Sequence, residues 1–379
     1  MQVDSIGVQA EKQRRKPERR SSGACGEIYS VLGVPTFQNR IFHTCADARS
    51  CDKGDVNLVR DPTTGFIHNR SFRAELMNYD ADYQNEQAVS AVFREHLNAV
   101  AAIVEEHFGG LALIEVGCGK GHFLELLQRR GFEVTGLDPT YEGSNPSVIR
   151  ENFSPELGIR ADGLVLRHVL EHVQDPIDFL LRIREANGGG GKIYIEVPCF
   201  DWICAKRAWF DIFYEHVNYF RIADFHRIFG RVDAAAHLFG GQYLSVVADL
   251  KSLRKNVAAR PDEFEFPADF LDGMDTHARS LKSKETHYAA VWGAGAKGAM
   301  FALFMERAGA KIDLVVDANP AKHGKYLPGT GLEIHSPEEA QRLLPRGAQV
   351  LVMNGNYLEE IRAYTGNRFQ YVSVEHEAI

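Results

Sequence analysis

Apolar positions in this chain follow two periods, and the switches between them predict its elements. From Glu86 to Phe108, Val89, Val92, Phe93, Leu97, Val100, Ile103 and Val104 recur at helical spacing and stop at Gly109-Gly110, which predicts a long amphipathic helix. Leu111 to Val116 is an apolar run that meets Gly117, Gly119 and Gly121, after which Phe123, Leu124, Leu126 and Leu127 mark one face of a second helix. Phe132 to Leu137 alternates and ends in Asp138-Pro139; Ala161 to Pro176 reads as a buried strand running into a helix over Ile177 to Ala186; four glycines then precede the strand K-I-Y-I-E-V-P. Strand and helix alternate, so an α/β fold with a parallel, doubly wound sheet is expected, binding its ligand at the C-terminal ends of the strands. A second pattern of this kind begins at Ala289, where A-A-V-W-G-A-G-A-K-G leads to a helix with Phe301, Leu303 and Phe304 and to a strand, Ile312 to Val316, ending in Asp317.

These patterns divide the 379 residues into four stretches. Residues 1–22 are polar and basic without a signal-peptide core and read as a disordered tail; 23–85 are rich in turn formers and read as a small, loop-rich module. Residues 86–250 hold the main α/β domain, and 251–379 hold a linker helix and a C-terminal Rossmann-like domain. A net charge of −8 gives no reason to expect nucleic acid as a partner, and no apolar run is long enough for a bilayer. Six uneven cysteines make no disulfide framework in a chain of this length, so a cytoplasmic home is expected. His43, Cys45 and Cys51 have ligand chemistry but no C-x-x-C pair to anchor a metal, and none is expected.

Candidate chemistry gathers at the glycine turn. Glycines let the backbone turn sharply and bring a ligand close to the peptide plane, and the following helix offers unpaired N–H groups. Asp138, about 20 residues on at the end of the second strand, is placed for a ribose diol, whose two hydroxyls a carboxylate accepts well. Arg167 and His168 stand at a strand end, and F-Y-E-H-V-N-Y-F, Phe213 to Phe220, sets Tyr214, Glu215 and His216 side by side, a cluster costly to bury unless bonded or used.

With these landmarks the chain resembles, over residues 88–249, the class I S-adenosylmethionine-dependent methyltransferases. The E-H pair, the N-Y-D-A-D-Y lead-in, the G-G-Q-Y-L run and the C-terminal half make it similar to the three-domain C-methyltransferases of nucleotide-linked keto-sugars in antibiotic pathways. The resemblance implies S-adenosylmethionine as cofactor, held by Glu115, Gly117, Gly119, Gly121 and Phe123, by Asp138 and Pro139 at the ribose, by Asn152 and Phe153 at the adenine, and by Arg167 and His168. Methylating carbon requires removing a proton beside a carbonyl and stabilising the enolate oxygen. His216 is the candidate base, Glu215 the group orienting its imidazole, and Tyr214 or Tyr83 the group near the oxygen. Tyr79, Lys297, Asn319 and Lys322 are candidate contacts of a small-molecule acceptor bearing phosphates.

The chain departs from that family at its N-terminal zinc module, where Ser22, Cys25, Asp61 and Thr64 occupy the positions of two C-x-x-C pairs, so no zinc is expected there. It also has Phe213 where the family has a catalytic tyrosine. A small-molecule O-methyltransferase stays open, since His216 would equally deprotonate a hydroxyl. So does an NAD-dependent oxidoreductase, alone or fused, because Gly293, Gly295, Gly298 and Asp317 form a dinucleotide fingerprint. In the family this second unit is an accessory domain. A monomer or homodimer is expected.

Overall fold

The computed structural model describes residues 26–77, 82–259, 264–282 and 288–375. The expected tail, Ser22, Cys25 and Tyr79 lie outside them. Chain order begins with β1 (Glu27–Pro35), α1 (Cys45–Arg49), β2 (Lys53–Arg60) and β3 (Ile67–Asn69). This region, expected to be loop-rich, is an antiparallel sheet. Val31, Val34, Val56 and Leu58 are buried at every second or third position, a signal hidden by the glycines and charges between them. Its fourth strand comes from the other side of the E-H pair, since Asn218–Tyr219 pairs with Ile67 and His68.

The central unit runs α2 (Ala91–Phe108), β4 (Leu113–Val116), α3 (His122–Arg129), β5 (Val134–Leu137), β6 (Val148–Ile149), β7 (Gly163–Arg167), α4 (Pro176–Ala186), β8 (Lys192–Pro198), α5 (Phe200–Ala205), β9 (Asn218–Tyr219), α6 (Ile222–Ile228), β10 (Val232–Leu238) and β11 (Tyr243–Asp249). α2 starts at Ala91 because the Ser90 hydroxyl accepts the Phe93 N–H as its N-cap, and α4 starts at Pro176 because Asp175 caps it in the same way. The strand order is β10-β11-β8-β7-β4-β5-β6. Five strands are parallel as expected, but the sheet is mixed: β11 runs antiparallel to β8 and β10 antiparallel to β11. The β10–β11 pair is a hairpin because its connection, Phe239 to Gln242, with Phe239, Gly240 and Gly241 all at positive φ, is too short for a parallel crossover.

The C-terminal unit follows α7 (Asp272–Lys282) with β12 (Ala289–Trp292), α8 (Ala296–Arg307), β13 (Leu314–Val316), β14 (Ile334–His335), β15 (Gln349–Val352) and β16 (Gln370–Ser373). All five strands are parallel, in the order β14-β13-β12-β15-β16. One core joins the units. Trp209 stacks on Phe301 of α8 at 5.5 Å between ring centroids, with Phe210 and Phe304 edge-on to this pair. Among the described residues no helix is long and apolar enough to cross a membrane.

Candidate active site

The glycine turn lies at the C-terminal end of β4, the middle strand of the central sheet. Gly117, Gly119 and Gly121 have φ of 74°, 53° and 81°, left-handed values that glycine adopts without strain. They have different surroundings. A Cβ on Gly117 would stand 2.5 Å from Val169, whereas a Cβ on Gly119 would meet nothing within 4 Å. The turn is closed on one side and open on the other, which is what a ligand lying against the backbone requires.

Asp138, one strand over, pins this turn. Its Oδ2 accepts the Gly119 N–H at 2.8 Å, and its Oδ1 accepts the Thr140 N–H at 2.8 Å and the Thr140 hydroxyl at 2.7 Å. Of the four lone-pair positions of a carboxylate, one is left over for a further donor such as a ribose hydroxyl. Tyr141, which the sequence did not single out, is buried beside Gly121 and accepts the Asn145 N–H at 2.9 Å. Asn152 is exposed and Phe153 half-buried against the core edge.

Three expected cofactor residues have other partners. Phe123 is buried in a core cluster, with the Arg167 guanidinium 4.5 Å above its ring. Arg167 donates to Glu196 at 2.9 Å, and His168 Nε2 lies 2.8 Å from the same carboxylate. They serve a buried polar network rather than an open binding surface. His96 and the Tyr194 hydroxyl also reach Glu196, at 3.3 and 3.1 Å. Burial pushes the Glu196 carboxyl up, but the Arg167 charge and the two histidines outweigh it and hold the group well below the usual carboxylate range. Burial likewise opposes charge on His168, yet Glu171 and Glu196 raise it to about 9. Sequence reasoning missed Glu196 and His96. Their signal was a charged residue in the middle of an apolar strand and a histidine on the inner face of α2. Glu115 is buried with Oε2 unbonded, and desolvation raises its carboxyl to about 8.

Facing the turn's far side, the 3-10 turn Leu170–His172 after β7 is stitched to the E-H stretch. The Val217 N–H donates to the Glu171 carbonyl at 2.8 Å, His172 Nδ1 bonds the Glu215 carbonyl at 2.9 Å, and the His172 and His216 rings are 5.0 Å apart. His216 is buried against Phe213, and desolvation, followed by the nearby charges of His172, His168 and Lys297, holds it well below its usual range. Its imidazole is therefore neutral.

Two expected roles are corrected. The Glu215 carboxylate accepts the Gln38 and Asn39 N–H groups at 2.6 and 3.1 Å and the Tyr83 hydroxyl at 2.7 Å, so it orients Tyr83 rather than the imidazole. Tyr214 turns toward the N-terminal sheet, accepting the Arg73 N–H at 2.8 Å with its ring against Phe72 and Gly54. Tyr214 and Glu215 lie together in a turn ahead of β9, and their side chains leave it toward different neighbours.

The C-terminal fingerprint is occupied by the chain itself. The Asp317 carboxylate takes the Ala294 N–H at 2.7 Å and Lys322 Nζ at 3.2 Å, and Asn39 Oδ1 from the N-terminal unit takes the Ala296 N–H at 3.0 Å. The Asn319 side chain caps its own turn by accepting from Ala321 N, and Lys297 pairs with Asp211 at 3.0 Å and lies 4.8 Å above the Trp202 ring. The structure thus does not gather Lys297, Asn319 and Lys322 around a phosphate. Lys322 is buried.

Comparison with known proteins agrees with this geometry. Residues 85–236 match the model of a methyltransferase domain, and residues 272–370 match that of a C-methyltransferase C-terminal domain. The chain is 24% identical over 312 residues to C-methyltransferase NovU of Streptomyces niveus, covering 70% of this chain and 72% of that protein. It is 32% identical over 124 residues to a ubiquinone biosynthesis O-methyltransferase of Cereibacter sphaeroides, covering 29% of this chain and 48% of that protein. A crystal structure of an S-adenosylmethionine-dependent methyltransferase from Mesorhizobium loti superposes with a TM-score of 0.31 at 15% identity, covering 40% of this chain and 96% of that one. The open side of Gly119 and the remaining lone pair of Asp138 fit a nucleoside cofactor such as S-adenosylmethionine. This chain is a class I S-adenosylmethionine-dependent methyltransferase, and S-adenosylmethionine is its cofactor.

Proposed function

We propose that this enzyme methylates a carbon atom of a small-molecule acceptor, a nucleotide-linked keto-sugar or a close relative of one, after His216 removes the proton beside the carbonyl. The observation that carries this is the placement of His216, a buried imidazole packed on Phe213 and 5.0 Å from the His172 ring on the turn that follows β7, held in the neutral form that can accept a proton. Two named similarities support it: the C-terminal match is to a C-methyltransferase domain, and NovU is a C-methyltransferase.

In this reading Gly117, Gly119 and Gly121 hold the cofactor's methionine part, Asp138 its ribose, and Asn152 and Phe153 flank its adenine. The bound cofactor supplies a sulfonium methyl that an in-line nucleophile can take. His216 holds the abstracted proton, while the Tyr83 hydroxyl, whose one hydrogen goes to Glu215 in the free protein, turns that hydrogen to the enolate oxygen once the acceptor is bound. Water is excluded by the aromatic packing of Phe213 and Tyr219 around His216.

The self-occupied fingerprint at Ala294 and Ala296 argues for an accessory C-terminal unit rather than a dinucleotide site. Deuterium wash-in tests the base directly. In D2O with S-adenosylhomocysteine, the wild type should exchange the proton beside the carbonyl of a thymidine-diphosphate keto-sugar, and H216N should do so about 10²- to 10⁴-fold more slowly. Equal exchange in both proteins overturns the assignment. A methyl found on oxygen puts the O-methyltransferase reading in its place.

A further inference from the structure

The backbone on both sides of His216 is held by one short element, the 3-10 turn Leu170–His172. The Val217 N–H donates to the Glu171 carbonyl at 2.8 Å, and His172 Nδ1 bonds the Glu215 carbonyl at 2.9 Å. Where His216 sits therefore depends on where this turn sits.

The turn is tied in its own right by His168, which ends β7. Its φ of 52° is left-handed backbone, adopted at a cost by a residue with a side chain and kept where the surroundings over-determine it. Glu196 of β8 grips it twice: the Glu196 carbonyl accepts the His168 N–H at 2.8 Å, and the Glu196 carboxylate lies 2.8 Å from His168 Nε2. The Glu171 carboxylate lies 3.4 Å from Nδ1 on the other side of the ring. One imidazole thus spans two carboxylates on separate elements, 0% and 1% exposed. A neutral imidazole has a single N–H to give, so only the protonated ring donates to both. Burial opposes that charge, but Glu171 and then Glu196 outweigh it and raise His168 to about 9. The other titratable groups around the ring are Arg167 on its own strand, His96 of α2, Tyr194 of β8, Tyr243 of β11 and, across the turn, His216.

We propose that His168 is a positioning residue for methyl transfer: by bridging Glu196 to Glu171 it fixes the turn that in turn fixes His216. This rests on the reading of His216 as base. The bridge is whole while the ring carries both protons, and it opens on one side when one is lost.

Deuterium wash-in by the full-length protein, with S-adenosylhomocysteine and the thymidine-diphosphate keto-sugar, is followed across the neutral and alkaline range with the enzyme-free rate subtracted. Wild-type exchange should fall as pH rises through about 9, where the ring gives up its second donor. In E171Q the fall should come about one pH unit lower or more, because the carboxylate that raises the ring is gone. At neutral pH H168Q should exchange about 10- to 100-fold more slowly than the wild type, as misplaced reacting groups do. H168Q/E171Q should be no slower than H168Q, since both substitutions cut the same link. Thermal stabilisation by S-adenosylhomocysteine shows which variants are folded; should H168Q not fold, E171Q and the wild-type profile decide. An alkaline limb that is absent, or that E171Q leaves in place, or unchanged neutral exchange in H168Q overturns the positioning role. A slow H216N beside such a result withdraws this role alone, whereas equal exchange in H216N and the wild type withdraws the base and the positioning role together.

Discussion

Asp138 acts on two sides at once. Its carboxylate fixes the shape of the glycine turn through Gly119 and keeps one lone pair for a donor outside the protein. Replacing it with Asn keeps the size but removes charge-assisted acceptance, worth about 1.5–3 kcal/mol per bond to a charged group. D138N should therefore bind S-adenosylhomocysteine about 10- to 100-fold more weakly by calorimetry, a range given by that energy. Undiminished affinity would place the ribose elsewhere. Glu115 gives a prediction in pH. Burial raises its carboxyl from 4.5 to about 8, with Arg167 opposing and Asp138 adding to the rise. The folded chain keeps this proton up to about pH 8, while the unfolded chain releases it near 4.5, so the stabilisation present below 4.5 is lost as pH rises through about 8. E115Q, neutral throughout, should show a flatter decline of melting temperature over that window than the wild type. Parallel curves would show that the carboxyl does not titrate as its burial dictates.

Among elements, the two glycine turns look alike in sequence and differ in space. A Cβ on Gly298 would stand 1.8 Å from the Gly293 carbonyl oxygen, so α8 is pressed directly onto the end of β12. Backbone atoms cannot rotate away, and G298A should destabilise the protein by several kcal/mol, about 3 or more, as other overpacked sites do. At Gly119 the same methyl meets open space, and the cost is the positive φ of 53° alone, about 1–2 kcal/mol. G119A should fold, with a modestly lowered melting temperature, and lose cofactor affinity. Thermal melts with and without S-adenosylhomocysteine separate the two outcomes. If G119A binds as tightly as the wild type, the open side of the turn is not where the cofactor lies.

At the scale of the whole molecule, the segment carrying Glu215 and His216 is held by the N-terminal and C-terminal units as well as its own. β9 pairs with β3, Glu215 accepts from Gln38, Asn39 and Tyr83, and Trp209 packs into α8. Asn39 is the bridge, as its backbone donates to Glu215 while its side chain caps α8. N39A removes a helix cap worth about 0.5–2 kcal/mol. At about 2–4 °C per kcal/mol for a chain of this class, its melting temperature should fall by a few degrees. It should still bind no NAD in calorimetry, because Asp317 remains tied to Ala294 and Lys322. NAD binding by N39A at micromolar concentration would show that a single amide oxygen separates the accessory unit from a working dinucleotide site.

Local patterns determined a good deal. The run from Leu111 to Val116, its glycines and the following helix specify a strand-turn-helix, because hydrophobic period and backbone freedom are properties of consecutive residues. The same holds for the repeated unit at Ala289, a strand, a glycine turn and a helix. Other features depend on residues far apart in the chain. The N-terminal sheet is completed by a strand from Asn218–Tyr219, β11 runs against the rest of its sheet, and Tyr214 and Glu215 face different neighbours. Which cations meet which carboxylates was also decided in three dimensions: Arg167 and His168 meet Glu196, His168 also meets Glu171, and Lys297 meets Asp211. A sequence states which charges exist, but their energies depend on distance and burial, and only the folded chain sets those.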